Sequence, residues 1–347
     1  MSGAGVRPPL AVRRLSPADW RALADDPRLL GGLVYGDGAE AADAAGLDVL
    51  SAAGTRIDAW LARGETVAGR TGAVRWRHDG EWLYAAAEFD AGGSSGSLEA
   101  VARQAYRDVF ATLARTGFAQ VARFWNYLPG INDDGGGLER YRQFNAGRQA
   151  AFLEAGAAAS EGAPAACALG TARGPLRVRL LACRAAPQPV DNPRQVPAWR
   201  YPADYGPRPP SFSRAALAPC GDGGLALFVS GTASIVGHET VHAGDPLAQA
   251  RETLANLQAV VRDANARGGA GFELGALDCV VYLRRAQDLP AVRAAFEEAV
   301  GAGSPAARGA VYLRADICRA DLLVEIEAHG FAPGDLRGAS AAPGGAP

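Results

Sequence analysis

Apolar and polar positions along this chain follow two alternating patterns. Short runs, apolar throughout or at every second position, mark strands; longer stretches with apolar residues three or four apart mark helices. In the second half, Leu225 to Val229 reads as a strand, and Asp245-Pro246 opens a helix to about Arg267. Asp278 to Arg284 is a further strand and Asp288 to Val300 a second helix, followed by strands near Ala310 to Arg314 and Leu322 to Ala328. The first half repeats this order with strand Trp82 to Phe89, helix Ser97 to Thr116 and strand Ala119 to Trp125, then helix Leu138 to Ala155 and strand Leu176 to Cys183. Ser97 and Asp245 precede the long helix of each half, where a side-chain oxygen can accept from a free backbone N–H.

Between the halves the pattern breaks. Prolines at 187, 189, 193, 197, 202, 207, 209 and 210 cannot continue a helix or a central strand, so this stretch reads as an interdomain connection. After about Ala332 the chain is Gly, Ala, Ser and Pro, and disorder is expected there. The expected division is a first unit over 1–190, a connection over 191–205, a second unit over 206–333 and a tail over 334–347.

Composition narrows the functional classes. The 347 residues suffice for two domains with cores of their own, and 48% hydrophobic with 21% charged residues is a globular balance. A formal net charge of −2 offers no polycation for nucleic acid and no basic face for a membrane. No lysine occurs, so a Schiff-base or lysine nucleophile is excluded, while arginine forks for carboxylates are plentiful. Five cysteines stand singly, without a CxxC pair, which argues against a disulfide framework or a zinc ribbon. With no apolar h-region at the start and no run long enough to span a bilayer, the expected setting is the cytoplasm.

His238-Glu239-Thr240-Val241-His242 matches the HExxH pattern, which on a helix would hold zinc between two imidazoles one turn apart. Its surroundings favour a strand and turn: Gly237 precedes it, a β-branched run leads in, and Ala243-Gly244-Asp245-Pro246 follows. Only His78 and His329 remain as further imidazole ligands, so no metal is expected. Asn132-Asp133-Asp134-Gly135 lacks the spaced ligands of a calcium loop and reads as an Asx-type turn capping a helix near Leu138. No GxGxxG or Walker loop sits at a strand-to-helix junction and no nucleophile elbow is read, so neither a nucleotide nor any other cofactor is implied.

The most unusual stretch is Trp125-Asn126-Tyr127-Leu128-Pro129-Gly130-Ile131-Asn132-Asp133-Asp134-Gly135, leading into Glu139-Arg140-Tyr141-Arg142-Gln143-Phe144-Asn145-Ala146-Gly147-Arg148. It is too aromatic for a solvent loop and too polar for a core helix. Tyr141 and Arg148 lie two helical turns apart on one face, and a hydroxyl with a guanidinium can bind a carboxylate. Tyr201 and Arg214 offer the same pair from the second half. Glu325 and Glu327 share one face of an apolar strand. Burial there would raise the Glu325 pKa and keep its proton on, as a general acid requires, whereas an edge strand would leave it facing water.

The stretch from Trp125 to Arg148 resembles the signature of the chorismatase family, enzymes that remove pyruvate from chorismate. The second half also resembles the RidA (YjgF) family, through Ser211-Phe212-Ser213-Arg214-Ala215, Leu227 to Thr232, Asn256 to Val260 and Leu323 to Glu327. Chorismatases are built on that fold, so the resemblances together imply an α+β protein of two RidA/YjgF-like domains, each a mixed sheet with helices packed on one face. The arginine that RidA enzymes carry before the glutamate falls at Ile317 here, which weighs against imine deamination. The chorismatase resemblance implies Glu325 as the acid that protonates the enolpyruvyl methylene. It also matches Gly231 and Cys318 to positions that are glycine and cysteine in 3-hydroxybenzoate formers, but alanine and an apolar residue in diol-forming hydrolases. Chorismate carries two carboxylates, which suits Tyr141 with Arg148 and Tyr201 with Arg214. The expected activity is formation of 3-hydroxybenzoate and pyruvate without metal or cofactor, at a site where the domains meet. The alternatives are a chorismate hydrolase giving the diol, a RidA-like small-molecule binding module and, from HExxH, a zinc hydrolase. RidA proteins are trimers, but a fused pair could satisfy its interfaces as a monomer.

Overall fold

A computed structural model describes residues 10–36, 45–50, 54–91 and 97–336. Two seven-stranded mixed sheets dominate it. The first runs, from edge to edge, Asp316–Ile317, Ala165–Thr171, Gln120–Pro129, Leu176–Cys183, Trp82–Phe89, Val74–His78 and Val67–Thr71. The second runs Gln188–Val190, Ala215–Pro219, Gly224–Ala233, Val324–Pro333, Asp278–Leu283, Val311–Arg314 and Asp48–Val49. Both contain the same inner plan, a hairpin followed by two antiparallel pairings and one parallel pairing. The repeated strand and helix order read from the sequence is therefore also a repeated topology.

Each sheet ends on a strand from the other half. Asp316–Ile317 pairs with Ala165–Thr171 in the first sheet, and Asp48–Val49 pairs with Val311–Arg314 in the second.

Side-chain alternation decides what each face meets. In the first sheet Leu83, Ala85, Phe124, Val178 and Leu180 pack with helices Leu98–Thr116 and Arg140–Glu154. In the second, Leu227, Val229, Val281, Val324 and Ile326 pack under helices Pro246–Gly268 and Leu289–Val300. The opposite faces share one inner core, with Trp82, Trp125, Tyr127 and Cys167 from the first sheet and Phe228, Val280 and Tyr282 from the second. A three-stranded sheet, Leu10–Leu15, Arg56–Ala62 and Leu29–Tyr35, adds Leu10, Tyr35 and Trp60 to that core. The α+β expectation is met, and among the described residues no helix is long and apolar enough to cross a membrane.

The two long helices begin where the sequence implied. Ser97 Oγ accepts from Ala100 N, and Asp245 Oδ1 accepts from Leu247 N and Ala248 N. Three readings change. The helix expected near Leu138 begins at Arg140, and its cap Glu139 makes no side-chain capping bond; Asp134 instead closes an Asx turn by accepting from Gly137 N. Pro189 lies in an edge strand of the second sheet, where a missing N–H costs no ladder bond. The last strand runs to Pro333, and Gly334 N and Asp335 N donate to Gly223 O and Gly268 O, so order continues to 336. The remainder of the expected tail, 337–347, lies outside the described residues.

Gly147 fixes how closely the two helices of the first half approach. A Cβ there would lie 2.0 Å from the Glu99 carbonyl oxygen and 2.9 Å from Arg103 N, both backbone atoms that cannot swing aside. Gly147→Ala should force the helices apart and destabilise the fold by about 1–3 kcal/mol, read as a lower urea midpoint.

Candidate active site

The strand Val324–Pro333 is central in its sheet, flanked by Gly224–Ala233 and Asp278–Leu283, so the edge-strand reading of Glu325 does not hold. Alternation turns Val324, Ile326 and Ala328 to the helices and Glu325, Glu327 and His329 to the inner layer. Both glutamates are buried, each 3% exposed. Arg123, from the first sheet, donates to Glu327 Oε2, and Tyr282 OH donates to Glu327 Oε1 at 2.9 Å. The Cys167 thiol is also hydrogen-bonded to Glu327. Desolvation, and then the neighbouring Glu327, push the Glu325 carboxyl up to about 8, with Arg123 pulling it down.

Space for Glu325 comes from Gly231. The ladder between Gly224–Ala233 and Val324–Pro333 slips between Val229 and Thr232, so Ser230 and Gly231 form a bulge opposite Glu327. Ser230 Oγ secures it, donating to Ser213 O at 2.6 Å and accepting from Ala166 N at 2.9 Å. A Cβ on Gly231 would sit 1.9 Å from Glu325 Oε1 and 3.2 Å from Cys167 Cβ, so the carboxyl occupies the volume an alanine methyl would need.

Glu325 and Gly231 border a cavity of about 370 Å³. Glu139, Tyr141 and Arg142 of the first half line it together with Tyr201, Tyr205, Phe212, Arg214, Cys318 and Arg319 of the second. The site thus lies where the halves meet, and its size suits a small organic molecule. Tyr141 is hydrogen-bonded to Asn145, and burial raises its phenol well above the ordinary value. The Cys318 thiol is pushed up to about 12, chiefly by burial and then by Glu325, so it stays neutral. Arg214 Nη2 donates to Tyr201 OH at 2.7 Å and Val196 O at 2.9 Å, while its buried Nε has no partner among the described residues.

Six of the seven residues expected from the sequence therefore line one cavity: Glu325, Cys318, Gly231, Tyr141, Tyr201 and Arg214. Arg148 does not. Seven residues of helix carry it about 10 Å along the axis from Tyr141, so sharing a face does not bring it to the same opening. It is stacked instead over Phe152, Tyr106 and Phe124, with ring-centroid distances of 4.9, 5.2 and 5.5 Å.

Arg319 and Tyr205 were not foreseen. Arg319 lies 4.0 Å from the Tyr205 ring centroid, and its Nη1 donates to His238 O at 2.8 Å. The HExxH segment therefore supports a wall of this cavity. It forms a hairpin, Ile235–Val236 with Glu239–Thr240, followed by His242 at φ 59°, so the one-turn spacing a zinc site needs is absent. Only a position next to Cys318 could have drawn attention to Arg319; for Tyr205 the sequence offers nothing. The loop bearing Cys318 is clamped by Arg284. Its Nε donates to Leu322 O, its Nη1 to Asp316, and its Nη2 to Asn132 Oδ1, Ile317 O and Arg319 O. A larger cavity, about 860 Å³, opens beside the helices of the first half, but its charged pair Arg107 and Glu154 is self-satisfied and no set of polar groups converges there.

The family model described as chorismatase FkbO/Hyg5-like, N-terminal, matches residues 58–182. A 3-hydroxybenzoate synthase of Streptomyces hygroscopicus is 42% identical over 279 residues, covering 78% of this chain and 80% of that protein. The chain belongs to the chorismatase family. A chorismatase of Streptomyces rapamycinicus is 39% identical over 277 residues, 78% of this chain and 80% of that one. A chorismatase crystal structure superposes with a TM-score of 0.80 at 32% identity, covering 93% of this chain and 98% of the other. The protein is thus an enzyme of the chorismatase type, and its substrate is a small molecule.

Burial that raises an acid's pKa also sets a sign for stability. The folded carboxyl of Glu325 holds its proton up to about pH 8, against 4.5 for an ordinary glutamate, so this group lowers stability progressively as pH rises through that window. Glu325→Gln cannot ionise. Its melting temperature should match the native enzyme near pH 5 and exceed it by at least about 2 °C at pH 9, measured by differential scanning calorimetry.

Proposed function

We propose that this chorismatase converts chorismate to 3-hydroxybenzoate and pyruvate. The observation that carries the reading is the Glu325 carboxyl, neutral at physiological pH and lodged against Gly231 in the same cavity as Cys318. Glu325 donates its proton to the enolpyruvyl methylene carbon, leaving an oxocarbenium whose bond to the ring is weakened. The neighbouring ring hydroxyl attacks the carbon that bears the ether and gives its proton back to the carboxylate. The ether bond breaks, and its electrons form the keto group of pyruvate. The oxide so formed opens by breaking its bond to the carbon that carried the hydroxyl. Its oxygen, left on the carbon that bore the ether, takes up a proton, and loss of the proton from that same carbon makes the ring aromatic. No water enters the balance. Gly231 lets the acid reach the cavity, and the neutral Cys318 thiol occupies space where a water would otherwise compete.

Tyr141, Tyr201 and Arg214 are proposed as substrate-binding groups for the two carboxylates, and Arg319 joins them because its guanidinium lines the same wall. Arg148, set back in the aromatic core, is not retained as a direct contact. The name of the Streptomyces hygroscopicus relative, 3-hydroxybenzoate synthase, supports this product over the diol. The unbridged cysteines suit a reducing cytoplasm.

Purified protein incubated with chorismate should yield 3-hydroxybenzoate and pyruvate in equal amounts, identified by chromatography with mass detection, at a rate unchanged by chelator. A product heavier by one water would replace this assignment with the diol. Glu325→Gln should lower kcat by at least about 100-fold, and Gly231→Ala should lower kcat/KM by at least about tenfold by displacing the carboxyl.

A further inference from the structure

We propose that Glu327, anchored across the sheets by Arg123 and Tyr282, is a positioning residue whose carboxylate stands behind Glu325 and holds the proton on that acid. The inference rests on Glu325 acting as the acid. Glu325 and Glu327 are two residues apart on one strand and point to the same inner layer, which sets their Cα atoms about 7 Å apart. Glu327 has little freedom to leave: Arg123 binds Oε2, Tyr282 OH binds Oε1, and the Cys167 thiol contacts it from the adjoining strand. The Ser230–Gly231 bulge faces Glu327 across the ladder. Arg123 also lies 5.3 Å from the Trp125 ring centroid, which holds the guanidinium on its Glu327 side of the layer.

The charged and titratable groups around Glu325 come from every element packed on it. Glu327 lies on its own strand, Tyr282 directly opposite it on the neighbouring strand, and Arg123 and Cys167 on the first sheet. Cys318 approaches from the clamped loop and Tyr141 from the helix. Of these, Glu327 is the principal neighbour raising Glu325, and Arg123 the one opposing it. A cavity with arginines on its walls would otherwise favour an ionised carboxyl, which cannot protonate carbon. Arg123 is turned to Glu327, so its charge is partly spent before it reaches Glu325.

The test is kcat/KM for chorismate between pH 5 and 10, with the native enzyme, Glu327→Gln, Glu327→Asp and Glu325→Gln. The native profile should fall tenfold per pH unit above about 8, where Glu325 loses its proton. Glu327→Gln should move that alkaline limb down by about one unit or more, and Glu327→Asp, which keeps the charge, should restore most of it. A uniform loss of rate with the limb unmoved would show that Glu327 only supports the fold and would overturn the proposal. Should Glu327→Gln fail to fold, Arg123→Met is compared with the double variant Arg123→Met/Glu327→Met. The limb of the double variant must lie below that of the single, and coincident limbs overturn the proposal. Full activity in Glu325→Gln would instead remove the acid itself and this inference with it.

Discussion

The strand Val324–Pro333 carries Glu325, Glu327 and His329 into the layer between the sheets, and the rest of that layer is arranged around their charge. A lone buried carboxylate would cost several kcal/mol. Glu327 is matched by Arg123 from the opposite sheet, with the Tyr282 hydroxyl bonding its other oxygen. A second set lies further along: Arg14 forks onto Asp58 at 2.7 Å on both oxygens, and Tyr35 OH donates to Asp58 at 3.1 Å. Burial there keeps His329 low and so neutral, while the Arg14 guanidinium overcomes the cost of burial and keeps Asp58 ionised. Among the described residues of this layer, Glu325 is the carboxyl left without a cation of its own. That asymmetry, one carboxylate paired and its neighbour not, is what the proposed roles of Glu325 and Glu327 rest on.

The same layer explains why the site needs both halves. The signature segment supplies Tyr141 from a helix start and Asn132 from the turn before it, and Asn132 meets Arg284 of the second half. Arg284 in turn gathers the carbonyls of the loop that presents Cys318 and Arg319. A single guanidinium with its donors in a fixed fork can do this where a lysine could not.

Elements with strong periodicity could be read from the chain itself. Both long helices, their caps and the strands that alternate with them stand where apolar spacing and Ser97 or Asp245 put them. That Glu325 and Glu327 share one face followed from alternation alone; that the face is the buried one depended on the strand being central in its sheet. Other parts depended on contacts that no local pattern records. The three-stranded sheet and the strand pair Val67–Thr71 with Val74–His78 have apolar faces that are short and interrupted by glycine and arginine. Strand Ala165–Thr171 is mostly alanine and small residues, with little β-propensity to mark it. Arg148 was misplaced because a shared helix face gives direction but not depth. Arg319 and Tyr205 reach the cavity through a hairpin whose sequence imitates a metal motif. Gly231 was read through family resemblance; its physical reason, a carboxylate in the place of a methyl group, needed the bulge to be seen.

The exchange of edge strands has a consequence for how the chain is made. Strand Gln120–Pro129 emerges from the ribosome nearly two hundred residues before Glu327, so Arg123 has no partner during most of synthesis. The edge of Ala165–Thr171 that Asp316–Ile317 will cover stays open for a shorter span, nearly one hundred and fifty residues. The first half must therefore wait, partly assembled, for the last strands to arrive and close both sheets at once. Assembly of the cavity between the halves and completion of the fold become a single late event, and a truncated nascent chain holds neither.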